Sequence, residues 1–292
     1  MLCLGLDIGG TSVKAALLRD GVLLGQHAGK RYERPSLPVL EQCIREAVDA
    51  FRTDRTPGAR FLIDAIGLSV PGVLSEDRRQ VTYSANVPAL TEHELRWFAL
   101  SAAGPNARWT ATTDQIAAAT DYAVVYDVRG FRIRGRLLAV GIGTGVGAAV
   151  LDFDAPSPLG RPLGVNGLSL GHIGQMDVSL DADPPIGPDG GAGSLEAYLG
   201  AKALGGRDPA TLGMEDAPIR ALVRALRICH ALYRPDEIAL LGGVGIRLAH
   251  LAPALEERIN DRLTALARPG WRLGFGTDDF HAARGAARLA AQ

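Results

Sequence analysis

Apolar residues run in short blocks along this chain, and the first blocks break at glycine. Leu2 to Leu6 is an apolar run that passes Asp7 and Ile8, meets Gly9-Gly10-Thr11, and resumes at Val13 with Ala15-Ala16-Leu17-Leu18. Runs of this length bounded by turn residues predict buried strands, and the following Asp20-Gly21 is a hairpin signal. The opening is therefore expected to fold as strand, tight turn, strand. The same pattern returns about half a chain later: Leu137 to Val140, then Gly141-Ile142-Gly143-Thr144-Gly145, then Val146 to Leu151. Two copies of one device predict an internal duplication.

Between and after these hairpins the period changes. Val39, Leu40, Cys43, Ile44, Ala47, Val48 and Phe51 recur at helical spacing, predicting a helix over 38–51. Residues 61–70 read as a strand ending at the turn Pro71-Gly72-Val73-Leu74. Thr91-Glu92-His93-Glu94 has the form of a capping box before Leu95, Trp97, Phe98 and Leu100. A strand over 107–112 leads to Asp114, and an Ala-rich helix is expected over 116–126. Arg129 to Arg136 reads as a solvated connection. From Pro156 to Gly193 the chain is rich in Gly and Pro and weakly patterned, as functional loops are. Further helices are expected over 194–204, 218–233, 246–267 and 280–290, with a buried strand over 238–241 running into Gly242-Gly243. Strands feeding helices in two successive sets predict an α/β protein of two lobes with a cleft between them. The boundary is placed so that 1–113 forms the smaller lobe, with 279–292 packing back on it, and 114–278 the larger.

Composition narrows the function without naming it. The chain has 292 residues, 47% hydrophobic and 22% charged, with a formal net charge of −1. Such a balance offers no electrostatic attraction for nucleic acid or an anionic membrane. The first residues lack a basic segment and meet Asp7 at once, unlike a secretory leader, and no apolar run is long enough to span a bilayer. Cys3, Cys43 and Cys229 are scattered and odd in number, which fits a cytoplasmic protein and not a disulfide scaffold.

The chemistry concentrates at the glycine turns. Glycines let backbone N–H groups approach an anion closely, and Thr11 adds a hydroxyl donor. Asp7 would repel phosphate directly; its place beside such a turn makes sense with a divalent cation between them. A plain Gly-Gly hairpin would explain the first copy alone, but not two copies. Neither copy has the P-loop spacing, and neither leads into a helix as a dinucleotide-binding turn does. Asp114 follows a strand and precedes a helix, where α/β folds bind ligands. Locally it could be only a helix cap. Facing phosphate turns, it becomes the base for a substrate hydroxyl. His27, His93, His230, His250 and His281 show no metal-like spacing.

Leu6-Asp7-Ile8-Gly9-Gly10-Thr11, Ser69-Val70-Pro71-Gly72, Asp114 before Ala117-Ala118-Ala119, Gly141-Ile142-Gly143-Thr144-Gly145, Gly171-His172-Ile173-Gly174, Gly193-Ser194-Leu195-Glu196-Ala197-Tyr198 and Leu241-Gly242-Gly243-Val244 occur in an order that resembles the ROK family of repressors, open reading frames and kinases. The resemblance covers essentially the whole chain. It implies the two-lobed, actin-like ATPase (ribonuclease H-like) fold and a glucokinase-type activity using ATP and Mg2+. It implies that Asp7, Gly9, Gly10, Thr11 and Lys14 meet the ATP phosphates and Mg2+, and that Gly143, Thr144 and Gly145 form a second phosphate turn. Gly242 and Gly243 would lie beside the adenosine, and Asp114 would be the general base. Pro71, Gly72, Asn86, Thr113, His172, Gln175 and Glu196 would line the substrate side. A homodimer is expected.

Three positions depart from the family pattern. Thr113 stands where the family usually has Asn before the base, and His172 and Gln175 stand where it has the Glu and His of a Gly-Glu-Ile-Gly-His motif. Pro185 to Gly193 contains no cysteine where the family usually holds zinc, so zinc is expected to be absent. Since unpaired buried polar groups discriminate strongly between substrates, these changes leave two acceptors open: a hexose bound with altered preference, or a sugar-like polyol such as a C7 cyclitol. A sugar-binding sensor without turnover is the reading from another class. The repressor branch would carry a DNA-binding module before the first hairpin, which here begins within the opening residues.

Overall fold

The structure is a computed structural model. It describes residues 1–52, 62–154, 157–163, 172–187, 190–267 and 270–292. Phe61, Pro156, Gly171 and Pro269 from the sequence expectations lie outside these ranges.

The chain divides into two compact units, Met1–Tyr122 with Phe280–Gln292, and Ala123–Asp279. The first unit is built on a five-stranded sheet of order β3-β2-β1-β4-β7. Its strands are β1 (Leu2–Ile8), β2 (Val13–Arg19), β3 (Val22–Ala28), β4 (Ala65–Val70) and β7 (Arg108–Thr113). A two-stranded ribbon, β5 (Val73–Leu74) and β6 (Val81–Tyr83), follows β4. β1, β2 and β3 form an antiparallel meander, whereas β1, β4 and β7 run parallel. Helices α1 (Leu37–Asp49), α2 (Leu95–Ala103) and α3 (Asp114–Val128, of which the residues to Tyr122 belong to this unit) intervene, and the C-terminal α8 (His281–Ala290) returns to the sheet.

The return of α8 explains two glycines inside strands. A Cβ on Gly5 would lie 1.9 Å from the Ala283 carbonyl oxygen, and one on Gly67 would lie 2.0 Å from that of Ala286. The helix backbone therefore rests directly on β1 and β4, and Ala283 and Ala287 complete a small-residue core with Cys3, Ala16 and Ala65. Asp121 of α3 anchors the helix, accepting hydrogen bonds from His281 Nδ1 (2.7 Å), Arg284 Nε (2.7 Å) and Arg288 Nε (2.8 Å).

The second unit repeats the plan. Its sheet has the order β10-β9-β8-β11-β12, from β8 (Arg136–Ile142), β9 (Val146–Asp152), β10 (Arg161–Pro162), β11 (Glu237–Leu241) and β12 (Arg272–Phe275). β8, β9 and β10 are antiparallel neighbours and β8, β11 and β12 are parallel. Order and sense match the first sheet strand for strand, as the repeated hairpin predicts. Helices α4 (Leu195–Leu199), α5 (Ala217–Tyr233), α6 (Gly242–Gly245) and α7 (Ala252–Asn260) complete it. Leu138, Val140, Leu222, Leu226, Ile238 and Leu240 are among the core residues between sheet and helices.

Four local expectations are corrected. Strand structure begins at Ala65, because Asp64 turns the chain to bond both backbone groups of Leu2. Thr91 does not cap α2: its hydroxyl donates to the Pro88 carbonyl (2.8 Å) inside a 3-10 turn, and the helix begins at Leu95. The helix opened by Ser194 ends at Leu199, where Gly200 becomes extended and the Ala201 N–H donates to the Gly143 carbonyl (2.9 Å). The long helix expected over 246–267 is a 3-10 turn (Ile246–Leu251) followed by the shorter α7. Pro253 has no N–H to donate back into a continuous helix, so it sits in the first turn of a new one.

Candidate active site

In each sheet the residues expected to carry chemistry gather at the carboxyl ends of the parallel strands, the side on which α/β proteins bind ligands. In the first unit Asp7 closes β1, Ser69-Val70-Pro71-Gly72 closes β4, and Thr113-Asp114 joins β7 to α3. Asp7 pairs in register with Lys14 on one side and with Ser69 on the other. Ser69 is fully buried, and its hydroxyl donates to Asp7 Oδ1 at 3.0 Å. The Gly9 N–H donates to the Ser12 carbonyl at 3.0 Å, which closes the Gly9-Gly10-Thr11-Ser12 turn. A Cβ on Gly10 would come 3.0 Å from Asn86 Cβ, so Asn86 sits directly against this turn. Gly72 has φ 105°, and a Cβ there would lie 2.1 Å from the Tyr83 carbonyl oxygen. Only glycine fits.

Asp114 is the first residue of α3 and is partly buried. Its Oδ1 accepts the Gln115 N–H at 3.0 Å, and the buried Thr113 hydroxyl accepts the Ile116 N–H at 3.4 Å. Thr113 thus holds the start of the helix that presents Asp114. Burial, and after it the negative charge of Asp7, push the Asp114 carboxyl up from 3.8 to about 7. An acid titrating there is an effective proton acceptor near neutrality.

In the second unit Gly143-Thr144-Gly145 links β8 to β9, and Gly242-Gly243 follows β11 at the same edge. Gly143 has open space where a Cβ would point, as a cradle for a phosphate needs. Glu196 Oε2 accepts the Val146 N–H at 2.8 Å, and a Cβ on Gly145 would come 2.4 Å from the same oxygen. Gly242 has φ 77° and packs on the Ile142 carbonyl, while Gly243 lies beside Asp279. The turn Ile173–Gln175 also reaches this edge: a Cβ on Gly174 would lie 2.0 Å from the Val146 carbonyl oxygen. It carries His172 and Gln175, both exposed. The first unit therefore gathers Asp7, Gly9, Gly10, Thr11, Asn86, Pro71, Gly72, Thr113 and Asp114. The second gathers Gly143, Thr144, Gly145, His172, Gln175, Glu196, Gly242 and Gly243.

Sequence reasoning missed two residues here. Ser69 falls inside a motif that names no task for it; a lone hydroxyl near the end of an otherwise apolar strand is the signal that marks it. Tyr32, whose hydroxyl donates to the Gly9 carbonyl at 2.7 Å, lies in an irregular segment with no period to mark it. Among the described residues no group of three or more His, Cys, Asp and Glu side chains is placed to hold a metal ion. No helix there is long and apolar enough to cross a membrane.

Two α/β units of matching topology, each with a glycine turn between its first two strands, define the actin-like ATPase fold. The family model of the ROK family matches residues 3–212, and the chain belongs to that family. No curated protein matches the chain. Among solved structures, a ROK family glucokinase from Streptomyces griseus in complex with glucose and AMPPNP is 18% identical, with 100% of both chains covered and a TM-score of 0.71. A ROK hexokinase from Thermus thermophilus is 22% identical, covering 100% of this chain and 98% of that one, with a TM-score of 0.68. A ROK family transcriptional regulator, a homologue of the E. coli MLC protein, is 16% identical, covering 99% of this chain and 78% of that one, with a TM-score of 0.71.

Proposed function

We propose that this protein is an ATP- and Mg2+-dependent kinase that phosphorylates the primary hydroxyl of a hexose or hexose-like compound. The observation that carries the reading is the pair of acids at one sheet edge. Asp7 precedes a glycine turn, and Asp114 heads α3 with its carboxyl raised to about 7 by burial and the Asp7 charge. An acid beside a phosphate turn suits a divalent cation, and an acid poised near neutrality suits an alcohol that must lose its proton. Membership of the ROK family supports the reading, as do neighbours that are a glucokinase with glucose and AMPPNP and a hexokinase.

The residues present fit these ligands. Asp7 would face the cation; Gly9, Gly10, Thr11 and Lys14 would meet the phosphates, joined by Gly143, Thr144 and Gly145; Gly242 and Gly243 would flank the adenosine. Mg2+, when bound, neutralises charge on the phosphate oxygens. Asp114 would accept the proton from the acceptor hydroxyl. Asn86, Glu196, His172 and Gln175 would contact the acceptor's other hydroxyls, with Pro71 and Gly72 shaping the wall and Thr113 fixing Asp114.

The test is ADP release with ATP and Mg2+ across glucose, mannose, N-acetylmannosamine, fructose, allose and C7 cyclitols, with Asp114→Asn as control. A general base contributes about 10²–10⁴-fold, so the variant is expected to lose at least ~10²-fold in kcat. A hexose hit assigns His172 and Gln175 to sugar hydroxyls, and a cyclitol-only hit assigns them to a carbocycle. Nucleotide binding without turnover on any acceptor would favour a sensor.

A further inference from the structure

The chain leaving β3 doubles back along the first glycine turn. The Gly29 N–H donates to the Val13 carbonyl at 2.8 Å, and the Tyr32 N–H donates to the Thr11 carbonyl at 2.8 Å. The Tyr32 hydroxyl then reaches the Gly9 carbonyl at 2.7 Å. One residue thus grips two carbonyls of the turn, and the Gly9 N–H closes it from within onto the Ser12 carbonyl.

This grip determines where the turn's donors point. In a planar trans peptide the carbonyl and the N–H of the next residue point in opposite directions. Holding the Gly9 carbonyl therefore aims the Gly10 N–H away from Tyr32, and holding the Thr11 carbonyl does the same for the Ser12 N–H. Two successive glycines have the widest backbone freedom of any pair, so without an outside clamp these donors would not stay aimed. Tyrosine suits the task because its side chain has only two torsions to freeze.

We propose that Tyr32 is a positioning residue of the nucleotide site, which clamps the Gly9–Ser12 turn so that the N–H groups of Gly10 and Ser12 are presented to the phosphate end of ATP. The proposal rests on reading the protein as an ATP-dependent kinase. Burial, and after it the charge of Asp7, raise the tyrosine's pKa, so the hydroxyl remains a donor at any working pH.

Tyr32→Phe removes the hydroxyl and leaves the ring and backbone N–H. Calorimetric titration with Mg2+ and AMP-PNP is expected to show binding about three- to tenfold weaker, the loss of one hydrogen bond. Adenosine, which does not reach the turn, should bind equally to both proteins. In turnover, KM for ATP should rise while KM for the acceptor stays unchanged. Equal loss for adenosine and AMP-PNP, or no loss for either, overturns the proposal. Amide hydrogen exchange on the unsubstituted protein needs no variant: AMP-PNP should protect Gly10 and Ser12 and adenosine should not, and unprotected amides with AMP-PNP bound overturn it too. If the unsubstituted protein binds no AMP-PNP, the kinase reading itself fails, and that failure shows before any variant is made.

Discussion

Glu196 grips the backbone at the end of the second glycine turn through the Val146 N–H, which it accepts at 2.8 Å. The resemblance to ROK kinases implies a substrate contact for this side chain. The geometry adds that Glu196 fixes the end of the Gly143-Thr144-Gly145 turn. Glu196→Gln keeps an acceptor for the N–H, whereas Glu196→Ala leaves the N–H without one. Losing a hydrogen bond to a charged group costs about 1.5–3 kcal/mol, so the alanine variant is expected to bind AMP-PNP at least about tenfold more weakly. The glutamine variant should bind it at least as well as the unsubstituted protein, because it keeps the acceptor and removes a negative charge beside the turn where the proposed function puts the phosphates. Calorimetric titration of both variants decides it, and equal affinities would remove Glu196 from the turn.

If the proposed kinase reading holds, Asp114 sets the pH range of activity. Its carboxyl is raised to about 7, by burial first and by Asp7 second. A general base works ionised, so the expected kcat/KM rises with pH through about 7 and falls about tenfold per unit below it. Asp7→Asn deletes the second cause and leaves the first, so the Asp114 carboxyl should titrate lower than before yet above an ordinary aspartate. Carbon-detected NMR of the free protein measures that shift without turnover. An Asp114 titrating near 4 in the parent protein would show the site to be open to water.

Asp7 and the four glycine turns were legible in sequence because each sits where an apolar strand stops, and Asp114 because it stands between a strand, Arg108–Thr113, and an Ala-rich helix. A buried strand end is written in consecutive residues. The duplication was legible for the same reason, since β1-β2 and β8-β9 carry the same short pattern. What was not legible depends on partners far along the chain. Nothing near Gly5 or Gly67 says that Ala283 and Ala286 will press their carbonyls on them. Nothing near Tyr32 points to Gly9. The capping box at Thr91 failed because its hydroxyl found a nearer acceptor in Pro88. The long helix over 246–267 failed because periodicity outweighed Pro253, which the structure obeys.

His230 on α5 has both ring nitrogens buried and without hydrogen-bond partners, and its ring lies edge-on to Trp271 at 5.5 Å between centroids. Burial holds its pKa below the ordinary 6.5. The unfolded chain then binds the proton more readily than the folded one, so stability rises with pH and is lost as pH falls below about 6.5. His230→Phe keeps an aromatic ring against Trp271 and removes the unpartnered nitrogens, whose burial costs about 1–3 kcal/mol. The variant should be the more stable at pH 8, and its advantage should widen at pH 5.5. Denaturant melts at the two pH values test the sign, and an advantage that narrows on acidification would contradict it.

Asp121 is fully buried and is the anion that His281, Arg284 and Arg288 share. Burial alone would raise its carboxyl; the hydrogen bond from His281, the charge of Arg284 and the bond from Arg288 outweigh burial and hold it below the usual aspartate value. Its contribution is therefore complete above about pH 3.9 and is lost as pH falls through the lower folded value. Asp121→Asn removes the negative charge that Arg284 Nε contacts at 2.7 Å, and breaking one side of a buried ion pair costs about 3–5 kcal/mol. The same change should loosen α8, whose amides are expected to exchange faster than those of α5 in the other unit. Replacing Asp121 by Leu and Arg284 by Met together should cost less than Asp121→Asn alone. Arg288 still reaches the Gly21 carbonyl at 3.1 Å. If the double replacement is the worse of the two, the cluster stabilises α8 through the attraction itself and not merely by avoiding an unpaired buried charge.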